Sequence, residues 1–297
     1  MNELRDKNGL TEEEFLAAYR PGDYVKPSVA VDMVIFSAIE RKEKNYRKLP
    51  EKELRVLLIR RGGHPCLGCW ALPGGFVEPD ETTEQAAVRE LKEETNVENI
   101  YLEQLYTFSD PKRDPRTWVM SCSYLALIDS EKVNVAAGDD ASNAAWFTVN
   151  LETVSQNLTK QQDGFCKTTE YMLTLSYDNI KLTAKIRHEL IRSDKGAVNN
   201  YDIIENNGIA FDHARIISYA VERLRGKVQY TDIALNLVPE YFTLTELQQV
   251  YEIILGKKLI KAPFRRKYGI LAEPTDKQTS YAGHRPSQLF RKKWLTE

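Results

Sequence analysis

Glu90, Glu93 and Glu94, preceded by Arg89, are the residues whose type and spacing point most directly to chemistry. On a helix, positions i, i+3 and i+4 share one face, so the three carboxylates would stand together. Like charges placed this way repel and weaken an isolated helix. A hard cation that prefers oxygen ligands, such as Mg²⁺, would offset that repulsion. The alternative is an acidic triplet on a solvated helix face, and spacing by itself does not separate the two. The helix is well delimited: Thr82 can cap it, and Gln85, three residues on, completes a capping-box pattern. Ala86, Ala87 and Leu91 can pack inward.

A second group of residues is basic. The run from Phe242 to Gly256 opens with Thr243 as a cap and Glu246 three residues later, then carries apolar residues at helical spacing. A lysine- and arginine-rich segment follows, with Lys261, Arg265, Arg266 and Lys267. Helix, glycine turn and basic helix is the arrangement a helix-turn-helix needs, and the basic side chains would meet phosphates or base edges. The sequence from Ile270 on, and the run starting at Gln288, would form a wing around a loop from Thr275 to Arg285. A basic all-helical interaction domain is the alternative reading.

The elements that must position these groups follow from periodicity. Ser28–Ser37 and Leu54–Arg60 read as strands by β-branched content and length, and Glu103–Phe108 with Trp118–Ile128 as a further pair. Ala145–Val149 reads as a short strand. Tyr171–Tyr177 and Ile180–Ile186 alternate at period two around Asp178 and Asn179, a hairpin with an Asx-type turn. Ser193–Asn200 reads as a loop. Four regions result: a polar arm (1–28), an α/β region (29–155), a bridging hairpin or linker (156–207) and a helical, basic region (208–297).

Bulk properties narrow the function classes. With 42% hydrophobic and 10% aromatic residues among 297, the chain can build ordinary cores. Its net charge of −2 conceals an asymmetry: 15 Lys and Arg face 9 Asp and Glu from Gly208 on, against 26 and 34 before it. An acidic first part suits metal, and a basic second part suits phosphates. No apolar run approaches membrane-spanning length, and the first residues carry no apolar segment, so neither membrane span nor signal peptide is expected and the cytoplasm is the default. Cys66 and Cys69 have zinc-knuckle spacing with His64 close, but Cys122 and Cys166 are isolated, so no zinc is expected.

Gly75, then Glu81 after five residues, then Arg89–Glu94 after seven more, resembles the Nudix box over 23 residues. Every charged position is present. Asn96 stands where the family has glycine, and asparagine tolerates the left-handed conformation of a helix end. The resemblance implies an α/β fold, an α/β/α sandwich on a mixed sheet. Leu72–Gly75 would turn into the loop and helix, and Gly138–Asp140 with Ala145 and Trp146 would precede the last strand. It implies Glu90, Glu93 and Glu94 as Mg²⁺ (or Mn²⁺) ligands, Arg89 as their orienting partner, Glu81 as a further ligand and Glu78 as a candidate base. The implied reaction is hydrolysis of a pyrophosphate linked to a nucleoside, aided by metal. Asp110–Arg116 and Trp118 lie where related ADP-ribose-binding members place ligand-facing residues, and Arg60 and Arg61 end a strand beside the loop where they could contact phosphates; Gly75, Arg61, Arg116 and Trp118 are the candidate substrate contacts. The alternative for them is an ordinary charged loop and a core tryptophan.

Leu244–Gly256, Phe264–Lys267 and Gly283–Phe290 resemble the winged-helix half of the Nudix-related transcriptional regulators of NAD metabolism. That implies a winged helix-turn-helix binding double-stranded DNA as a homodimer, with Lys261, Arg265, Arg266, Lys267 and Arg285 as DNA contacts. It also implies a nucleotide-sugar type ligand such as ADP-ribose in the first half. Two functions remain: Mg²⁺-dependent hydrolysis of ADP-ribose or a similar compound, placed first because no box carboxylate is missing, and an ADP-ribose-sensing repressor of NAD metabolism genes.

Overall fold

A computed structural model describes residues 4–20, 22, 24–41, 50–97, 100–129, 144–279 and 286–294. Gly138–Asp140 and Arg285 therefore lie outside the described residues. The polar arm contains a short helix, α1 (Glu12–Ala18), closed by a Thr11/Glu14 capping box and burying no side chain.

Val- and Ile-rich segments form the sheet, because branched side chains pack well on a pleated surface. β1 (Ser28–Glu40) lies antiparallel to β2 (Lys52–Arg60), with Phe36 opposite Val56. Two short strands, β3 (Trp70–Ala71) and β4 (Gly74–Phe76), pair with β2 and β1 and lead into α2 (Thr83–Thr95). β5 (Tyr101–Phe108) and β6 (Val119–Ile128) complete one side, β6 running parallel to β1. On the other side come β7 (Ala144–Gln161), β8 (Gly164–Tyr177), β9 (Ile180–Ser193) and β10 (Gly196–Asn207). The strand order is β10-β9-β8-β7-β2-β1-β6-β5.

This differs from expectation in the ribbon. The strand expected at Ala145–Val149 runs on to Gln161, so residue 155 falls inside it. The hairpin around Asp178, which is left-handed at φ 47°, is real. The loop expected at Ser193–Asn200 is a two-residue turn followed by β10, with Ser193 opposite Gly196. The outer halves of β7 and β10 are exposed on both faces, so they carry no alternation of apolar and polar residues for a period-two reading to detect.

β1 separates two cores. Val31, Met33 and Ile35 face α2 through Ala86, Ala87 and Leu91. Val34, Phe36 and Ala38 face the second half of the chain. That half begins with α3 (His213–Lys227) and a 3-10 turn at Ile233–Leu237. β11 (Tyr241–Phe242), α4 (Leu244–Leu255), α5 (Lys261–Tyr268), β12 (Ala272–Gln278) and β13 (Gln288–Lys292) follow. The order β11-β13-β12 makes the wing. Ile270 and Leu271, expected to begin the wing, form a 3-10 turn instead, and the strand starts at Ala272. Among the described residues no helix is long and apolar enough to cross a membrane.

Candidate functional site: an arginine-lined cleft joined to a winged helix

The carboxylate helix is built as its sequence demands. Thr82 accepts from the Gln85 amide, Gln85 returns a bond to the Thr82 amide, and Asn96 ends the helix in the left-handed region at φ 52°. Arg89 is the hub. Its Nη2 and Nε hold Glu81 at 2.7 and 3.2 Å, its Nη1 holds Glu90 at 2.8 Å, and Glu93 lies 3.7 Å away. These bonds push the Arg89 guanidinium up and the Glu81 carboxyl down from their ordinary ranges. Burial pushes Glu90 and Glu94 up, with neighbouring carboxylates adding to the effect. Gly75 leaves room for Glu90: a Cβ there would stand 2.0 Å from Glu90 Oε1. Glu78 is exposed and donates its amide to Glu81.

Among the described residues, no three His, Cys, Asp or Glu side chains are gathered closely enough to hold a metal ion on their own. The donor chemistry nonetheless fits Mg²⁺. That ion keeps several waters and uses one or two carboxylates plus substrate phosphates rather than a full protein cage. Glu90 and Glu94, desolvated and facing like charge, are the groups a cation would relieve.

Beside Gly75 opens a cleft of about 190 Å³. It is lined by Asp32 of β1, Gly74–Phe76 of β4, Arg61, Arg113 and Arg116, and by Phe211 and His213 at the head of α3. Phe211 sits at φ 49°, a conformation that non-glycine residues rarely adopt. Its ring lies 4.9 Å below the Arg61 guanidinium and 6.0 Å from that of Arg116. Arg116 also grips Asp114 through two bonds, at 3.0 and 2.7 Å. Arg113, its side chain 6% exposed, bridges Asp32 at 3.0 Å and Asp212 at 2.7 and 3.0 Å. His213 Nδ1 accepts the Leu72 amide at 2.8 Å. Burial lowers its pKa, so it stays neutral.

Arg61, Arg116 and Gly75 thus share one cleft. Trp118 is not among the lining residues: its carbonyl accepts the Ser28 amide, and the adjacent Val119 takes the place in the wall. Residue-by-residue reading missed Asp32, Asp212 and Phe211, whereas Arg113 and Asp114 fall inside the Asp110–Arg116 stretch that it singled out. Asp32 carried a signal, since a charge in a buried strand must find a partner. Phe211 carried none.

The second half forms a helix-turn-helix with a wing. The Thr243/Glu246 capping box starts α4, and Gly256, left-handed at φ 66°, ends it. The turn is braced by buried side chains. Gln248 Nε2 donates to Glu252 Oε1 and to the Leu259 carbonyl, each at 2.8 Å, and the Leu259 amide returns a 2.9 Å bond to Glu252. On α5, Phe264 is buried while Lys261, Arg265, Arg266 and Lys267 are exposed. Lys267 leans over the Tyr268 ring, 4.8 Å from its centre, and reaches the Gln229 carbonyl at 3.3 Å.

Comparison with known proteins supports both halves. Residues 48–167 match the NUDIX domain and residues 234–291 the NrtR DNA-binding winged helix domain. The ADPR responsive transcriptional repressor NtrR of Acinetobacter baylyi is 34% identical over 96% of this chain and 89% of its own length. An ADP-ribose pyrophosphatase of Methanocaldococcus jannaschii is 42% identical over 43% of this chain and 65% of its own. A MutT/nudix family protein from Enterococcus faecalis superposes with TM-score 0.66 at 31% identity, covering 96% of this chain and 94% of that one. Shewanella oneidensis NrtR complexed with a 27mer DNA gives 0.60 at 28%, covering 89% and 93%. With a complete box helix, a winged helix and a full-length relative in agreement, the chain belongs to the family of Nudix proteins fused to an NrtR-type DNA-binding winged helix.

Proposed function

We propose that this protein is a nucleotide-responsive regulator: its Nudix half binds ADP-ribose or a close nucleoside-diphosphate relative, and its winged helix, as a homodimer, binds duplex DNA. The observation that carries this reading is the shared cleft. Gly75 and the three arginines come from the Nudix half, while Phe211 and His213 belong to the head of α3, the helix leading into the winged helix. A diphosphate drawn to Arg113 competes with Asp212 and so acts on α3 directly. The relatives named for an ADP-ribose response and for ADP-ribose cleavage point to the same ligand class. The test is calorimetry of the full chain with ADP-ribose, followed by release of a duplex selected from a random pool. ADP-ribose binding that leaves the duplex bound would refute the coupling.

A second reading, hydrolysis, is favoured by the complete set of box residues. Glu90, Glu93 and Glu94, with Glu81 behind them, are the side chains that would hold Mg²⁺ or Mn²⁺, and the ion when bound supplies charge neutralisation and a more acidic water. The chain's own part is to position. Arg89 orients Glu81 and Glu90, Gly75 permits close approach, and Arg61 and Arg116 draw the phosphates. Product release from ADP-ribose with Mg²⁺, lost in Glu94→Gln, would establish turnover. Equal rates in both would refute it.

A further inference from the structure

Cys66-Leu-Gly-Cys69 closes a β-turn bonded to Arg61, a lining residue of the cleft. The Cys69 amide donates to the Cys66 carbonyl at 3.0 Å, and Gly68 takes φ +79°, the value a type II turn requires at its third residue. Such a turn holds its first and last Cα atoms within about 7 Å, and disulfides span about 4.4–6.8 Å. Both thiols are free and half-buried, whereas Cys122 and Cys166 stand on separate strands.

One cleft arginine, Arg61, is held by this turn. Arg61 donates its amide to the Cys69 carbonyl at 2.9 Å and its Nε to the Pro65 carbonyl at 2.8 Å, and accepts the Gly68 amide at 2.9 Å. Thiol–disulfide exchange proceeds by attack of a thiolate on a disulfide sulfur.

We propose that Cys66 and Cys69 form a reactive dithiol which small-molecule disulfides oxidise to an intramolecular bridge, and that the bridge weakens nucleotide binding through Arg61. The Cys66 thiolate attacks the reagent, forming a mixed disulfide and expelling one thiolate. Cys69 then attacks the Cys66 sulfur and expels the second. Two protein thiols and one small disulfide give one protein disulfide and two small thiols, so the protein loses two electrons and the reagent gains them. The bridge tightens the turn that fixes Arg61.

The bridge itself is independent of the ligand, and its effect on the cleft rests on the ADP-ribose reading above. The reduced full chain is treated with hydroxyethyl disulfide, digested and weighed, and its ADP-ribose affinity is measured before treatment, after it, and after dithiothreitol. The expected result is a peptide containing both cysteines that is lighter by two hydrogens. With it goes a Kd raised about fivefold or more and restored by the reductant. Cys69→Ser should stop at the mixed disulfide on Cys66. Absence of the bridge overturns the proposal, as does a bridge that leaves Kd unchanged. A reduced chain that ignores ADP-ribose would sink the nucleotide reading and with it the proposed effect on the cleft, while the mass measurement still decides whether the dithiol is reactive.

Discussion

Arg113 holds two buried carboxylates at once, one from β1 and one from the turn before α3. Removing one partner of such a set leaves buried charge uncompensated, which costs about 3–5 kcal/mol. Arg113→Ala should lose about that much in urea denaturation, and a loss under about 1 kcal/mol would mean that water satisfies Asp32 and Asp212. His213 makes a pH-dependent claim. Burial lowers its pKa despite Asp32 and Asp212 nearby, with Arg113 and Arg61 adding to the lowering. Below its ordinary pKa of about 6.5 the unfolded chain binds a proton that the folded chain refuses, so stability falls as pH drops through that region. The slope from this group is at most about 1.4 kcal/mol per pH unit. His213→Gln, which keeps an acceptor for Leu72, should flatten the profile between pH 7 and 5.5, and parallel profiles would remove His213 as the cause.

At the scale of elements, the winged helix depends on how α5 is set against α4. The Gln248 and Glu252 side chains satisfy both backbone groups of Leu259, and Lys258 reaches the other Glu252 oxygen at 3.2 Å. Gln248→Ala unbraces this turn and leaves Glu252 and the Leu259 carbonyl short of a donor. DNA affinity should drop by roughly tenfold, about 1.4 kcal/mol, while the proposed ADP-ribose binding at the Gly75 cleft stays as in the wild type. Equal loss of both activities would indicate general unfolding instead. The caps of α2 and α4 were legible from Thr82 with Gln85 and from Thr243 with Glu246, because a capping box is local. The brace was not, since it depends on a turn bringing Leu259 back to Gln248.

Across the whole molecule, the core that packs β1 and β2 continues without a break into α3, α4 and the turn around Leu235. The Gln249 side chain also donates to the Pro50 carbonyl at 3.2 Å. The winged helix is thus docked on the sheet, so movement at the head of α3 need not be relayed through a slack linker. The basic surplus after Gly208 belongs to this scale too. Neutralising Arg265 and Arg266 should weaken binding to all duplexes and reduce the salt slope of log K by about one for each DNA phosphate left unneutralised. An unchanged slope in the double Ala variant would assign the phosphates to other side chains, for instance Lys261.

The sequence by itself determined the features that depend on neighbours along the chain. The box from Gly75 to Val97, the capping boxes of α2 and α4, the glycine that ends α4 and the central strands all rest on short-range rules of spacing and backbone freedom, and so did the identity of both halves. Tertiary structure decided what depends on residues far apart. Arg113 meets Asp32 and Asp212 across 81 and 99 positions, and His213 meets Leu72 across 141. The length of β7 and β10 was hidden for the opposite reason: strands exposed on both faces bury nothing that would impose a pattern. A cleft formed between one half's loop and the other half's helix exists only once the sheet has brought them together.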